Sequence, residues 1–105
     1  MTALCKENIK KAIRNTYSLL KTLPEIVNDE DSEDDDIVKT MRLTKTYKFQ
    51  IYLIPLGNHS CDLTYYILNE KDRPIDQVSL GFVSLNDDIT EQANKELSYL
   101  FNMYC

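Results

Sequence analysis

Tyr47-Lys48-Phe49-Gln50-Ile51-Tyr52-Leu53-Ile54 is the stretch of sequence that decides the fold. Side chains along an extended strand point alternately to the two faces of a sheet. One face of this stretch therefore carries Tyr47, Phe49, Ile51 and Leu53. An apolar set with a period of two predicts a β-strand whose one face is buried.

Two further stretches repeat this period and predict a second and a third strand. They run over Cys61–Asn69 and Ile75–Leu85, and the turn segments Pro55–Ser60 and Glu70–Pro74 precede them. The second strand places Leu63, Tyr65 and Ile67 on one side and Thr64, Tyr66 and Leu68 on the other. The third strand aligns Val78, Leu80 and Phe82. Short turns between consecutive strands favour an antiparallel meander.

The apolar period changes to three and four on both sides of these strands, which predicts two amphipathic helices. The first covers residues 3–22 and ends before Pro24, because proline disfavours helical geometry in the residue before it. The second begins after a cap at Asn86, Asp87 or Asp88. Two such helices and a twisted sheet can bury their apolar faces against each other.

The predicted fold is α+β, with an antiparallel sheet of three strands or slightly more packed against the two helices. The order of elements is α, acidic loop, β, β, β, α. The 105 residues form a single domain, 1–105, in which the acidic segment 28–37 is a loop or a short helix.

Composition excludes several classes of protein. Hydrophobic residues make up 43% of the chain, which is too many for a disordered protein, and the apolar runs are too short to cross a bilayer. The chain starts without the apolar region of a secretory signal, so we predict a cytoplasmic protein without a membrane partner. The three cysteines, Cys5, Cys61 and Cys105, lack the spacing of a disulfide framework or a zinc site.

The sequence gives little support to an enzyme. His59 and Cys61 could form a base and nucleophile pair, but residues two apart on an extended chain are not held together. The two glycines, Gly57 and Gly81, match no phosphate-binding loop. We predict that the protein is not an enzyme and uses no cofactor.

The charges are strongly segregated along the chain, although the net charge is only −5. Residues 1–22 carry five bases and one acid, whereas residues 23–38 carry eight acids and no base. The densest part is the acidic run, which consists of Asp29, Glu30, Asp31, Glu33, Asp34, Asp35 and Asp36.

The acidic run has three interpretations. It can be a solvated loop that keeps the protein soluble. It can bind a divalent cation, since carboxylates are ligands of calcium. If the 12-residue calcium loop of an EF-hand began at Asp29, however, Asp34 would occupy the position of its invariant glycine and Thr40 that of its last ligand. We therefore predict no metal site. It can also imitate the phosphates of DNA and occupy the basic groove of a DNA-binding enzyme.

An inhibitor of the third kind also needs apolar anchors, because charge alone gives weak and salt-sensitive binding. Tyrosine is favoured in interface hot spots, and the strands carry four candidates for partner binding. These are Tyr47, Tyr52, Tyr65 and Tyr66. Because tyrosines occur on both faces of the strands, we expect about half of them to be buried.

The element order and the residue classes resemble the staphylococcal type of uracil-DNA glycosylase inhibitor, a family of DNA mimics. The resemblance covers the last two-thirds of the chain. Its most suggestive segments are Leu43-Thr44-Lys45, Phe49-Gln50-Ile51-Tyr52, Leu63-Thr64-Tyr65-Tyr66-Ile67-Leu68 and Leu80-Gly81-Phe82-Val83. The resemblance implies an inhibitor that presents acids where the enzyme expects phosphates, together with an apolar pocket for the residue that the enzyme inserts into DNA.

Two functions from different classes are compatible with the sequence. The preferred one is a DNA-mimicking inhibitor of uracil-DNA glycosylase. The alternative is an inhibitor of phage or mobile-element origin that blocks a CRISPR nuclease or a restriction enzyme. Its acidic face can extend to Asp62, Asp72, Asp76, Asp87 and Asp88. The other is a protein–protein interaction module without mimicry, such as a homodimer formed through a sheet face. In neither case does the protein itself bind nucleic acid.

Overall fold

The computed structural model of the protein describes residues 3–23, 36–57 and 59–105. These residues form two helices and one four-stranded antiparallel sheet. The elements in chain order are α1 (Ala3–Leu20), β1 (Ile37–Arg42), β2 (Lys48–Gly57), β3 (Ser60–Leu68), β4 (Pro74–Ser84) and α2 (Thr90–Tyr104). The strands are neighbours in the order in which they follow one another, which is the predicted meander. The predicted α+β class is confirmed.

The sheet has one strand more than the three that the periodicity locates. β1 pairs with β2 in a register that runs from Ile37 opposite Leu53 to Arg42 opposite Lys48. Most of the β1 side chains are exposed, so this edge strand lacks the apolar alternation that marks the other three. Backbone pairing with β2 determines it instead. Ile37 therefore belongs to a strand and not to the acidic loop, while residues 28–35 of that segment lie outside the described residues.

The core lies between the inner face of the sheet and the two helices. Phe49 occupies its centre, with its ring centroid 5.1 Å from that of Phe101 on α2 and 5.3 Å from that of Tyr65 on β3. The predicted alternation is confirmed on both central strands, because Phe49, Ile51, Leu53, Leu63, Tyr65 and Ile67 are all fully buried. The sheet thus has one face in the core and one face turned outward.

The alternation predicted for β4 is wrong beyond Leu80. Leu63 pairs with Gly81 and Thr64 pairs with Ser79, so Leu80 is the extra residue of a β-bulge. Gly81 follows with φ of 71°, a left-handed conformation that favours glycine. Beyond the extra residue, the side chains of β4 point to the opposite faces from those that regular alternation predicts. Phe82, expected on the same face as Leu80, turns outward with 66% of its surface exposed, and Val83 is buried in its place.

The cap of α2 also differs from the prediction. The helix begins at Thr90 and its N-cap residue is Ile89, not Asn86, Asp87 or Asp88. The Asp88 carboxylate nevertheless accepts hydrogen bonds from the Thr90 backbone N–H at 3.1 Å and from the Tyr17 hydroxyl at 3.0 Å. The bonds from Thr90 and then Tyr17 lower the pKa of Asp88. Asp88, the residue before the N-cap, therefore satisfies a backbone N–H of the first turn of α2, as a cap residue does.

A disulfide joins Cys5 to Cys105, with the two Cα atoms 5.8 Å apart. This single bond is not a disulfide framework, and the sequence leaves the pairing of Cys5 with Cys105 open. The sequence spacing could not reveal the pair, because its members are 100 positions apart and meet only when α1 and α2 pack side by side in opposite directions. Cys61 has a free thiol in the core, where burial raises its pKa to about 11.

Candidate protein-binding surface

The outward-facing side of the sheet is the surface that brings together most of the described candidate residues. We call it the outer face. Its central part is formed by Val38 and Thr40 of β1, Gln50, Tyr52 and Ile54 of β2, Asp62, Thr64 and Tyr66 of β3, and Gln77, Ser79 and Phe82 of β4. These residues follow from strand alternation and register, because the alternate positions Phe49, Ile51 and Leu53 of β2 and Leu63, Tyr65 and Ile67 of β3 are buried in the core.

Tyr52 and Tyr66 form an aromatic pair at the centre of the outer face. They lie on adjacent strands, and their ring centroids are 5.8 Å apart with the planes at 87°. This edge-to-face arrangement is a preferred geometry for aromatic rings and is worth about 1 kcal/mol beyond area burial. Both rings remain partly exposed, so they form a rigid aromatic platform that a partner can contact.

Asp36, the last member of the acidic run, is attached to this platform. The Tyr52 hydroxyl donates a hydrogen bond to Oδ2 of Asp36, and this bond raises the pKa of Tyr52. Asp36 lies directly before β1, at the edge of the sheet. The end of the acidic run is therefore fixed beside the outer face.

Two exposed apolar side chains extend the platform towards the edges of the sheet. Val38 lies opposite Tyr52 in the β1–β2 register and is 46% exposed. Phe82 lies opposite Asp62 in the β3–β4 register on the other edge strand. Neither residue belongs to the candidates predicted from the sequence. The signal that could have found Phe82 is Gly81, since a glycine inside a strand often marks a bulge that changes the facing of the next residue.

The charges of the outer face are arranged by position. Lys48 Nζ lies 2.5 Å from Oδ1 of Asp72, which neutralises the carboxylate at one end. At the other end of the outer face, Asp62 of β3 lies opposite Ile54 of β2. Asp36 directly precedes Ile37, which lies opposite Leu53, so Asp36 and Asp62 are at the same end of the sheet. Asp36 and Asp62 thus place negative charge at the end where the acidic run reaches β1, and the described residues form no ion pair there.

The outer face has one depression beside the tyrosine pair among the residues that the structure describes. A depression of about 270 Å³ is lined by Gln50, Tyr52, Tyr66, Leu68, Asp72 and Pro74. Small-molecule sites generally have volumes of roughly 300–1,000 Å³. A depression of this size, just below that range, can accept a side chain or a loop of a protein partner.

Tyr65 does not belong to the candidate surface. Its side chain is fully buried, and its hydroxyl lies 2.8 Å from Oγ1 of Thr16 on α1. Burial raises its pKa to about 12. Because alternation turns Tyr65 into the core while Tyr66 faces outward, the structure removes Tyr65 from the partner-binding set.

Tyr47 is also separated from the other two tyrosines. Its ring packs edge-to-face on Tyr104 of α2, with the centroids 5.1 Å apart, on the side of the sheet that faces the helices. It borders a different depression, which lies near the β3–β4 turn and includes Arg73. Of the four predicted anchor tyrosines, the structure therefore brings only Tyr52 and Tyr66 together with an acid of the run.

Asp29, Glu30, Asp31, Glu33, Asp34 and Asp35 lie outside the described residues. Four of the acids that could extend the acidic face have partners within the fold. Asp76 accepts a bond from Tyr104, Asp87 from the Ser84 backbone, Asp88 from Tyr17 and Thr90, and Asp72 from Lys48. Asp62 remains as the acid of the outer face that can extend the acidic run.

The other chemistry that the sequence suggests finds no assembled site among the described residues. Cys61 is buried, and its raised pKa is the opposite of what a nucleophilic thiolate needs. His59 lies in the β2–β3 turn with φ of 62°. Within the described ranges, no cluster of three or more metal-binding side chains occurs. No helix of the same ranges combines the length and the apolar character needed to cross a bilayer.

Comparison of the chain with protein-family models, with curated proteins and with solved structures finds no match. The resemblance to the staphylococcal inhibitors therefore stays a prediction that depends on residue pattern and element order. Function has to be inferred from the outer face and from the charges of the sequence.

Proposed function

We propose that this protein is a DNA-mimicking inhibitor that binds the DNA-binding groove of a nucleic-acid enzyme. Uracil-DNA glycosylase is the first target that we propose, because of the resemblance to the staphylococcal inhibitors. CRISPR nucleases and restriction enzymes are the alternative targets, since their grooves are also lined with basic residues that bind phosphates.

The observation that carries the proposal is the hydrogen bond between Tyr52 and Asp36. It ties the end of a run of seven acids to an exposed aromatic platform on a rigid sheet. A mimic needs both parts side by side. The carboxylates supply attraction to a basic groove, and the aromatic platform supplies contact area that does not depend on salt.

The rigidity of the outer face favours tight binding. Tyr52 and Tyr66 project from the two central strands, and their inward-facing neighbours Ile51 and Tyr65 are fully buried. Side chains that are already positioned lose less conformational entropy when a partner binds. In this arrangement Phe82 and Val38 lie on either side of the tyrosines and exclude water at the rim of the interface.

The test is a titration of purified uracil-DNA glycosylase, measuring both inhibition and affinity at low and at high salt. The variant Asp34→Asn, Asp35→Ser, Asp36→Asn should bind at least about tenfold more weakly at low salt, because three carboxylates that replace phosphates are lost. The affinity of the unaltered protein should fall steeply as salt is raised. Retained inhibition by the variant would rule out mimicry by these acids.

A matched control removes the same number of charges elsewhere. The variant Glu70→Gln, Glu91→Gln, Glu96→Gln changes the formal charge equally at the β3–β4 turn and on α2, away from the outer face. It should inhibit like the unaltered protein. Equal losses in both triple variants would assign the effect to net charge and not to a specific acidic face. The same assay with a CRISPR nuclease and a restriction enzyme identifies an alternative target.

A second candidate function is an interaction module without mimicry, and the exposure of Phe82 favours it. An outer face used mainly through apolar contact can dimerise or bind a non-enzymatic partner. In that case Phe82→Ser abolishes association while the neutralised acidic variant behaves normally, and salt has little effect. Sedimentation of both variants at two salt concentrations separates the two functions.

A further inference from the structure

The Cys5–Cys105 disulfide links two helix ends of opposite polarity. Cys5 lies in the first turn of α1, which begins at Ala3. Cys105 is the C-cap of α2, and its backbone N–H donates to the Phe101 carbonyl at 3.0 Å. The N-terminal end of a helix stabilises negative charge and the C-terminal end disfavours it. The two sulfur atoms therefore differ in their ability to become thiolates.

The two sulfur atoms also differ in accessibility. The side chain of Cys5 is only 2% exposed, whereas that of Cys105 is partly exposed at the end of α2. Asn8 Nδ2 lies 4.0 Å from Sγ of Cys105, which places a polar group on the side of this sulfur. We therefore expect a thiolate that approaches from solvent to attack the sulfur of Cys105 in preference to that of Cys5.

The polarity of the helix ends and the accessibility of the two cysteines both favour attack at Cys105 with Cys5 as the leaving sulfur. When Cys105 is attacked, the sulfur of Cys5 leaves as a thiolate, and a leaving thiol reacts faster when its thiolate is more stable. The position of Cys5 in the first turn of α1 provides that stability. Burial of Cys5 opposes it in part, but burial also prevents attack at Cys5 itself.

We propose that this disulfide is a directional thiol-exchange site, in which a small thiol such as glutathione is captured on Cys105. The glutathione thiolate forms a bond to Sγ of Cys105, and the bond between the two protein sulfurs breaks with its electron pair moving to Cys5. Cys5 then takes up a proton. A second glutathione can remove the first as glutathione disulfide, which leaves both cysteines reduced and oxidises two glutathione molecules.

Exchange at this site would release the paired ends of the helices. A groove of about 760 Å³ lies between α1 and α2, and Lys6, which follows Cys5 in the sequence, is one of the residues that line it. The sheet core does not depend on this link alone, because buried residues of β2, β3, β4 and both helices pack together, with Ile37 and Met41 of β1 partly buried against them. Disulfides are rare in reducing compartments. A reversible site is compatible with the cytoplasmic location predicted from the sequence.

The experiment treats the folded, oxidised protein with millimolar glutathione and quenches it with acid at short times. Free thiols are then alkylated in denaturant and the peptides are mapped by mass spectrometry. We expect glutathione on Cys105 and the alkyl group on Cys5. Glutathione found mainly on Cys5 overturns the proposal, and so does a folded protein that forms no adduct under conditions in which the denatured chain does.

Single variants test the accessibility of the two cysteines without competition from closure of the disulfide. In these variants the protein thiolate is the nucleophile, so the first turn of α1 favours reaction of Cys5 while burial of Cys5 opposes it. With glutathione disulfide as the probe, we expect burial to dominate, so that Cys5→Ser is modified at Cys105 at least about tenfold faster than Cys105→Ser is modified at Cys5. Equal rates contradict the proposal. Cys61→Ala is the matched control and should react like the unaltered protein, because Cys61 is fully buried. Hydrogen exchange should show faster opening of residues 3–9 after reduction, with the central strands unchanged.

Discussion

The hydroxyl of Tyr65 lies 2.8 Å from the hydroxyl of Thr16, in the buried layer between the sheet and α1. Thr16 donates its own hydrogen to the Ala12 carbonyl at 2.8 Å. A hydroxyl has a single hydrogen, so Tyr65 must be the donor to Thr16. This chain of two bonds satisfies both polar groups and fixes the position of α1 over the centre of β3.

Removing the Tyr65 hydroxyl should lower the free energy of unfolding. In Tyr65→Phe, Thr16 keeps its bond to Ala12 but loses a donor, which costs about 1 kcal/mol. Urea denaturation measures the difference. Tyr66→Phe is the control on the adjacent outer-face position and should change stability by less than about 0.5 kcal/mol. Equal effects of the two substitutions would contradict the assigned hydrogen bond.

Alkaline pH should reveal the burial of Tyr65. The pKa of Tyr65 is about 12 in the folded protein, against the ordinary tyrosine value of 10.0. As pH rises, the unfolded chain loses this proton first, so the stability contributed by Tyr65 is complete below pH 10 and is lost between about pH 10 and pH 12. The stability difference between the unaltered protein and Tyr65→Phe should narrow over this range. Groups that titrate in both proteins cancel in the comparison.

Substitution of Gly81 should cost stability through the backbone alone. A Cβ atom at this position would meet nothing within 4 Å, but φ of 71° is strained for a residue with a side chain. Gly81→Ala should lower the free energy of unfolding by about 1–2 kcal/mol. Gly81→Asn should lose less, since asparagine tolerates the left-handed conformation. An alanine variant as stable as the unaltered protein would show that the bulge is not maintained in solution.

Adjacent positions of β4 should respond in opposite ways. Val83→Ala removes buried methyl groups and should cost about 2 kcal/mol, whereas Phe82→Ser should change stability by less than about 0.5 kcal/mol because Phe82 is exposed. Thermal or urea unfolding of both variants tests whether Val83 is buried and Phe82 faces outward after the bulge. A large loss for Phe82→Ser would favour the regular alternation of the sequence prediction.

The candidate surface could be predicted only in part. The alternation within each strand correctly separates Tyr52 from Ile51 on β2 and Tyr66 from Tyr65 on β3, yet a period of two does not say which face is covered. Tyr66 and Tyr65 have the same residue type, and only the packing of the helices distinguishes them. The periodicity misplaces Phe82, because one extra residue in a bulge has no hydrophobic signature of its own.

By itself, the sequence determined the α+β class, the boundaries of both helices to within a few residues and the pairing of β2, β3 and β4, because these depend on local periodicity and short turns. Tertiary structure alone decided the addition of β1, the outward turn of Phe82 and the joining of Cys5 to Cys105. Each of these depends on a contact between distant parts of the chain: a backbone ladder, a shifted register and two helix ends. Such contacts form only after the core has brought the segments together, and local residue spacing carries no record of them.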